Sequence, residues 1–238
     1  MWIRSLLAAL ACAAFLVSPV AGLELRAVSA DLPPYSIQAE RSGFNHELAV
    51  LAAERAGHTL SVEYVPWKRA QKIVMAGPDY LTFNMTRTEA REPLYKWIAP
   101  IVRINHVFVS KDLPINSMAE AAGGRIVSRS GTPQLRRLLN EGMTPIEVER
   151  TAAAVQMVNS GRAHGWFTHD RRALWAWKRY VSDDPPAIGA PLGGGVIYMA
   201  ASHGFPDDVA MALQVAMEEL RADGSYDALM IKYFGQAD

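Results

Sequence analysis

Apolar and polar positions follow two periods between residues 23 and 84. Alternating positions, which predict half-buried strands, occupy 23–28 and 60–64, and a short apolar run at 81–84 has the same strand character. Apolar residues recur at helical spacing from 44 to 55, and a second helix is predicted from Pro66 to Gly77. The order of strand, helix, strand, helix, strand is typical of an α/β sheet with mostly parallel strands.

A second series of elements begins near Asn105 and repeats this order. Four helices are predicted to start at residues whose side chains can cap them, Ser117, Thr132, Thr151 and Asp170. Strands are predicted at 125–128, 146–149 and 166–168, and a strand at 193–200 with two further helices completes the chain. Because the alternation of strand and helix restarts, the sequence predicts two similar α/β lobes.

Residues 1–22 have the features of a secretory signal peptide. Arg4 supplies the positive start, residues 5–17 form an uncharged apolar stretch, and small residues follow up to Gly22. The apolar stretch is shorter than the roughly 20 residues that span a bilayer, so cleavage is favoured over anchoring. Cys12 lies inside the apolar stretch, which is the wrong place for a lipid-attachment cysteine.

The composition excludes several kinds of site. Cys12 is the only cysteine, so the 216 residues that follow the signal peptide have neither disulfides nor thiol chemistry. The 24 basic and 24 acidic residues balance, and removal of Arg4 leaves a net charge of −1, which gives no electrostatic reason to bind nucleic acid. His164 and His169 are five residues apart and face opposite sides of one strand. We therefore predict neither a metal site nor a cofactor.

The segment from Thr86 to Arg91 carries the clearest candidate chemistry. It follows the strand predicted at 81–84, and it combines threonine hydroxyls with two arginines. Hydroxyls and backbone N–H groups can donate hydrogen bonds to one face of a carboxylate, while a guanidinium donates two parallel hydrogen bonds to the other face. Arg91 is the candidate clamp, and Arg87 is expected at the surface or the cleft rim. The alternative for Arg91 is a solvated arginine paired with Glu89 or Glu92.

This segment resembles the anion-binding motif of the bacterial extracellular solute-binding proteins of family 3, the polar-amino-acid type that serves ABC importers. Other segments resemble the family in the same order along the chain. They are the first ligand loop at 32–35, the start of the first helix at 43–48, a ligand-stacking aromatic at 66–69, the second ligand loop at 130–132, the amine-site strand at 166–169 and the closing helix at 224–235. The resemblance covers essentially the whole chain after the signal peptide.

The resemblance implies a two-lobed, type II periplasmic-binding fold with the ligand held between the lobes. Lobe 1 would comprise 23–104 and 198–238, and lobe 2 would comprise 105–197. The implied function is that of a monomeric periplasmic protein that delivers a carboxylate-bearing solute to an ABC permease, with no catalytic residue and no cofactor. The implied ligand-binding residues are Tyr35, Trp67, Asn84, Thr86, Arg91, Thr132, His169 and Asp170. Trp67 is as well explained by packing in the core.

The sequence departs from the family where an aspartate commonly pairs with the α-ammonium of an amino acid. His169 takes that place, and Asp170 follows one residue later. A neutral imidazole is a poor partner for an ammonium ion. In addition, Leu32 replaces an aromatic residue that is common in the first loop, and Pro133 has no N–H to offer an anion. Small carboxylates and amino-acid derivatives are therefore as plausible as a free amino acid.

Two other functions stay open at the level of sequence. Cyclohexadienyl dehydratases resemble the same family, and Glu47, His169 or Asp170 could supply the general acid that such an enzyme needs. A sensing module that docks on a membrane receptor would differ from an importer component only in its partner.

Overall fold

The computed structural model describes residues 22–236, so the predicted signal peptide lies outside the described residues except for Gly22. The strands of this part are β1 Glu24–Ser29, β2 Thr59–Tyr64, β3 Tyr80–Thr86, β4 Lys96–Ser110, β5 Ile126–Arg129, β6 Ile146–Val148, β7 Gly165–His169, β8 Ala187–Ile188 and β9 Gly194–Ala201. The α-helices are α1 Phe44–Arg55, α2 Trp67–Ala76, α3 Met118–Ala121, α4 Pro133–Asn140, α5 Thr151–Asn159, α6 Asp170–Tyr180, α7 Asp207–Ala222 and α8 Ser225–Phe234. A 3₁₀ helix covers Glu89–Leu94.

The strands form a sheet in the order β2-β1-β3-β9-β4-β7-β5-β6, with β8 beside β4. β1 runs parallel to β2 and β3, and β5 runs parallel to β6 and β7. Between these two parallel groups, β9 is antiparallel to β3 and β4, and β4 is antiparallel to β7. Two parallel groups of strands, each covered by helices, confirm the α/β class that the sequence predicts.

β4 connects the two groups of strands, and the sequence analysis did not predict it. Its first part, from Lys96 to Asn105, pairs with β9. From His106 onward it pairs instead with β7, and its last residues also pair with β8. Pro100 lies at an irregularity of the β4–β9 register, where a residue without an N–H is tolerated. The partner change between Asn105 and His106 lies one residue after the lobe boundary expected from the sequence, and the division into lobes stays a prediction.

Separate hydrophobic clusters stabilise the two halves. One cluster packs α1, α7 and α8 onto the first group of strands, with Phe44, Leu48 and Met230 among its fully buried side chains. Another packs α5 and α6 onto the second group around Trp166 and Trp177. Each large side chain buried in this way stabilises the fold by about 1.5–3 kcal/mol. Each half of the molecule therefore has a hydrophobic cluster of its own.

The helix starts confirm two of the predicted caps and correct two others. Ser117 accepts a hydrogen bond from Glu120 N at 3.1 Å, and Thr132 accepts one from Leu135 N at 3.3 Å. The prediction for Thr151 and Asp170 is wrong, because each is the first helical residue rather than the cap. The residue before each of them has extended backbone angles and takes the cap position, and before Asp170 this residue is His169, the last residue of β7. No helix within 22–236 is long and apolar enough to cross a membrane.

Candidate functional site

A small cavity lies between the two halves, with a volume of about 20 Å³, which is room for about one water molecule. Both halves contribute to its lining, which is made of Leu32, Trp67, Asn84, Thr86, Arg91, Thr132, Pro133, Gln134, His169, Arg172 and Ile197. A larger pocket of about 670 Å³ lies between α6 and α8, but none of the predicted ligand-binding residues lines it. The small cavity is therefore the candidate site, since it concentrates the candidate chemistry.

Six of the eight residues predicted to bind ligand line this cavity, and two do not. The six are Trp67, Asn84, Thr86, Arg91, Thr132 and His169. Tyr35 is fully buried behind the cavity, with its ring 5.7 Å from that of His169. Asp170 is directed away from the cavity, because its carboxylate accepts hydrogen bonds from Asn105 Nδ2 and Arg171 N, both at 2.8 Å. As the first residue of α6, it follows the strand end that faces the cavity.

Arg91 lies in the 3₁₀ helix and is half-buried against both halves of the molecule. Its Nη1 donates to Thr86 O at 3.1 Å, and its Nη2 donates to Gln71 Oε1 at 2.8 Å and to Gly131 O at 3.1 Å. Burial lowers the pKa of the Arg91 guanidinium to about 10, so it stays charged at neutral pH. Three of its five N–H groups are thus paired with protein acceptors, which leaves only part of the predicted clamp for a ligand.

Glu92, one of the two acidic residues considered as a partner for Arg91, pairs with Arg87 instead. Glu92 accepts hydrogen bonds from Arg87, at 2.9 Å to Nε, and both side chains are exposed. Arg87 lies over the rings of Trp97 and Tyr198 at the surface, at 5.2 and 5.1 Å from the ring centroids. Glu92 is therefore the partner of Arg87, and Arg91 is the arginine that faces the cavity.

A hydrogen-bond network fixes the polar side of the cavity. Asn84 Nδ2 donates to Ser29 Oγ at 2.9 Å, and Asn84 Oδ1 accepts from Asn45 Nδ2 at 2.8 Å. Thr132 Oγ1 donates to Arg129 O at 2.6 Å while it caps α4. Trp67 lines the cavity and also packs in the cluster around β1 and α2, and its role as a ligand-stacking aromatic stays a prediction.

Arg172 is a cavity residue that the sequence analysis missed. It lies in the first turn of α6, three residues after His169, and only 5% of its surface is exposed. Its Nε donates to Pro33 O at 3.2 Å across the two halves, and its guanidinium lies 5.1 Å from the centroid of the Tyr35 ring. Burial lowers the pKa of Arg172 from its usual value. An arginine in the first turn after a ligand-facing strand is the sequence feature that could have identified it.

His169 is a buried neutral imidazole. Its ring stacks on that of His106, with centroids 5.8 Å apart and an interplanar angle of 13°. Burial first, and then the positive charges of Arg172 and His106, hold the pKa of His169 well below its usual value. Within the described residues, Nδ1 of His169 has no hydrogen-bond partner, and no three His, Cys, Asp or Glu side chains are grouped to hold a metal ion.

Contacts around the rim hold the two halves closed over the cavity. Gln71 Nε2 donates to Gly131 O at 3.3 Å, and Lys68 Nζ lies 3.4 Å from Glu147 Oε2. Both pairs join α2 to the loop or strand on the opposite half. These contacts link the two halves beside the cavity, and Arg91 and Thr132 also line a neighbouring pocket of about 600 Å³.

Comparisons with known proteins agree with this architecture. A sequence model of the family described as bacterial extracellular solute-binding proteins, family 3, matches residues 26–236. A comparison with curated proteins finds no match. Among solved structures, a mutant of ArgBP from T. maritima is similar, at 20% identity and a TM-score of 0.79, over 90% of this chain and 96% of that one.

Two further solved structures are similar over most of their length. One is a histidine kinase sensor domain with similarity to periplasmic binding proteins, at 16% identity and a TM-score of 0.81, over 91% of this chain and 97% of that one. The other is an ancestral amino acid-binding protein described as a precursor of cyclohexadienyl dehydratase. It has 20% identity and a TM-score of 0.76, over 90% of this chain and 95% of that one. At these identities the likeness shows the fold, and it confirms the two-lobed periplasmic-binding fold predicted from the sequence.

Proposed function

This chain belongs to the bacterial extracellular solute-binding proteins of family 3, and from that premise we propose that it captures a small carboxylate-bearing solute for an ABC importer. The solute is an amino acid, an amino-acid derivative or a small carboxylate, and it is bound between the two lobes. The protein acts in the periplasm as a monomer after cleavage of its signal peptide near Gly22. The lobes are 23–104 with 198–238, and 105–197.

One observation carries the carboxylate proposal. The interlobe cavity is lined by two arginines, Arg91 and Arg172, and its lining contains no aspartate or glutamate. A buried cation without an acidic partner is unfavourable, and a bound anion relieves that cost. Asn84 and Thr86 add an amide and a hydroxyl group that can donate hydrogen bonds to the same anion, whereas the O–H of Thr132 already donates to Arg129 O. The site is therefore complementary to a negatively charged small molecule.

Binding rather than catalysis is supported by where the candidate general acids lie. Glu47 accepts hydrogen bonds from Lys232 Nζ at 2.6 Å and from Tyr233, outside the cavity. Asp170 is held by Asn105, and His169 is neutral with a strongly lowered pKa. An acid that donates a proton near neutral pH needs a pKa close to that pH. The dehydratase alternative predicts turnover of prephenate or arogenate, which an absorbance assay detects.

The sensor alternative shares the ligand site and differs in the partner. The likeness to a histidine kinase sensor domain keeps this alternative in view, although at 16% identity it concerns the fold. Co-purification of the mature protein with a permease or with a membrane receptor distinguishes the two partners.

A thermal-shift screen of the purified mature protein tests the proposed function. It covers amino acids, their derivatives, mono- and dicarboxylates and polyamines, because a ligand of the native state raises the melting temperature. We expect a carboxylate hit that is lost or weakened about tenfold or more in Arg91→Ala, since charge-assisted hydrogen bonds to a carboxylate are the strong ones. Arg69→Ala is the matched control, because Arg69 is exposed on α2 and does not line the cavity. Polyamines as the only hits would contradict the proposal.

A further inference from the structure

Two buried arginines, called the inner arginines below, lie in the second half of the molecule, and one of them, Arg172, lines the interlobe cavity. Arg129 is the last residue of β5 and is 7% exposed, and Arg172 in α6 is 5% exposed. Nε and Nη1 of Arg129 are buried without a hydrogen-bond partner among residues 22–236. β5 pairs in parallel with β7, so the end of β5 at Arg129 lies beside the end of β7, from which α6 and Arg172 follow. The positive charge of Arg172 adds to burial in lowering the pKa of Arg129 to about 10. A folded protein rarely keeps two such cations without an anion.

Other polar atoms around this pair are also unsatisfied. Tyr35 Oη, Gln134 Nε2 and His169 Nδ1 are buried and have no partner within the described part of the chain. Gln134 and His169 line the cavity together with Arg172, and the Tyr35 ring contacts both Arg172 and His169. The tyrosine hydroxyl and the glutamine amide are hydrogen-bond donors, and most buried polar atoms in native proteins have a partner. The structure therefore gathers donors and positive charge at one place and lacks the acceptor.

The carboxylates nearest to this pair do not supply that acceptor. Asp31 accepts a hydrogen bond from Gln38 N at 3.1 Å, and Asp170 is held by Asn105. Asp31 and Glu149 act on Arg129 only through their charge, which raises its pKa less than burial and Arg172 lower it. No acidic side chain lines the cavity, so an ammonium group placed there would meet two arginines and a neutral imidazole.

Arg91 and the inner pair are chemically different anion sites. Three N–H groups of Arg91 donate to protein acceptors. Within the described residues, Arg172 donates one hydrogen bond, from Nε. Both Arg91 and Arg172 line the same cavity. A ligand that pairs with each of them through a separate group presents negative charge at two points.

We infer that the solute of this site is a small dicarboxylate without an ammonium group, bound with one carboxylate on Arg172 and Arg129 and the other on Arg91 and Thr86. This inference rests on the proposed function and narrows its solute class. His169 stands where the family commonly carries an aspartate. Its neutral imidazole lines the cavity and does not repel a carboxylate.

Titration calorimetry with matched ligands tests the inference. The probes are malonate, succinate, glutarate and adipate, together with the monoamide and the 2-amino derivative of each dicarboxylate that binds. We expect at least one dicarboxylate to bind, and its monoamide and its 2-amino derivative to bind about 100-fold more weakly, because each leaves a buried charge unpaired or repelled.

Two variants connect the result to the inner arginines. Arg172→Gln and Arg129→Gln remove one positive charge each and should weaken dicarboxylate binding about 100-fold, while the exposed Arg69→Gln should not change it. Chemical denaturation of each variant confirms that it is folded, and either of the two inner variants suffices if the other does not fold. An inner variant that is folded and still binds the dicarboxylate at full affinity would overturn the assignment of the inner arginines.

The outcomes separate this inference from the proposed function. If the 2-amino derivatives or other amino acids bind as well as the dicarboxylates or better, the solute class is wrong and the proposed function stands. If a monoamide binds as tightly as its dicarboxylate, the second anion site is wrong. If no carboxylate of any kind binds, both the inference and the proposed function fail.

Discussion

The two arginines that line the interlobe cavity, Arg91 and Arg172, differ in their burial and in their hydrogen-bond partners. Arg91 is in the place the sequence predicts, but protein carbonyls and Gln71 already occupy part of its guanidinium. Arg172, which no motif indicates, is more deeply buried and less paired. The surroundings of an arginine, and not its position in a motif, therefore decide how strongly it attracts an anion.

Buried histidines make the stability of the protein dependent on pH. Burial first, and then the charge of Arg137, lower the pKa of His106 to about 4, whereas in an unfolded chain a histidine titrates near 6.5. Between pH 7 and pH 5 the unfolded chain therefore binds a proton that the folded chain does not, and stability is lost as the pH falls. His106 accounts for a loss of about 2 kcal/mol over this interval, and the lowered pKa of His169 acts in the same direction.

Urea denaturation at pH 7 and at pH 5 measures this effect. The His106→Gln variant should lose about 2 kcal/mol less than the wild type over the interval, because it cannot take up the proton. His203→Gln, at an exposed histidine, is the control and should lose as much as the wild type. An equal loss in His106→Gln and the wild type would show that His106 does not carry this dependence.

Secondary-structure elements follow their sequence patterns where a single face is buried, and depart from them where tertiary pairing intervenes. Thr132 caps α4 as its sequence predicts. The extended backbone of β7 instead continues through His169, which pairs with His106, and this moves the start of α6 by one residue relative to its predicted cap. The sequence analysis missed β4 because its buried and exposed positions do not alternate regularly. This irregularity arises because the first part of β4 pairs with β9 and the later part pairs with β7.

Helix α4 carries a matched pair of leucines that tests how its faces are divided. Leu138 is fully buried against Phe108 and Phe167, while Leu139 is 51% exposed. Leu138→Ala should lower the free energy of unfolding by about 2–5 kcal/mol, because it removes buried apolar atoms and leaves a cavity. Leu139→Ala should change it by no more than about 0.5 kcal/mol. Denaturant unfolding of both variants measures the difference, and equal losses would show that the face of α4 is misassigned.

At the scale of the whole molecule, the proposed function requires closure of the two halves around one cavity. Gly131 lies where the second half approaches α2, and its carbonyl oxygen accepts hydrogen bonds from Gln71 and Arg91. Its backbone has φ of +71°, and a Cβ there would come within 3.0 Å of Lys68 Cγ and 3.1 Å of Gln71 Nε2. A larger residue at this position therefore opposes closure itself.

Comparison of Gly131→Ala with Gly142→Ala separates the effect of a steric contact between the halves from the effect of a strained backbone. Gly142 has φ of +75° with no atom within 4 Å of a Cβ, so alanine there meets the same backbone penalty of about 1–2 kcal/mol without a contact across the halves. We expect similar losses of stability in both variants, and a roughly tenfold loss of solute affinity in Gly131→Ala alone. Calorimetry and chemical denaturation provide the two measurements. Unchanged affinity in Gly131→Ala would contradict the proposed role of this contact in closure.

The sequence by itself determined the α/β class, most element bounds, the family and six of the eight side chains expected at the cavity. It could do so because hydrophobic periodicity, glycine and proline positions and short motifs act over a few residues. Only the tertiary structure decided that β4 joins the two halves, that Asp170 is held by Asn105, and that the buried Arg172 lines the cavity. The physical reason is that burial and charge–charge interaction depend on contacts between residues far apart in the chain, such as Arg172 with Pro33.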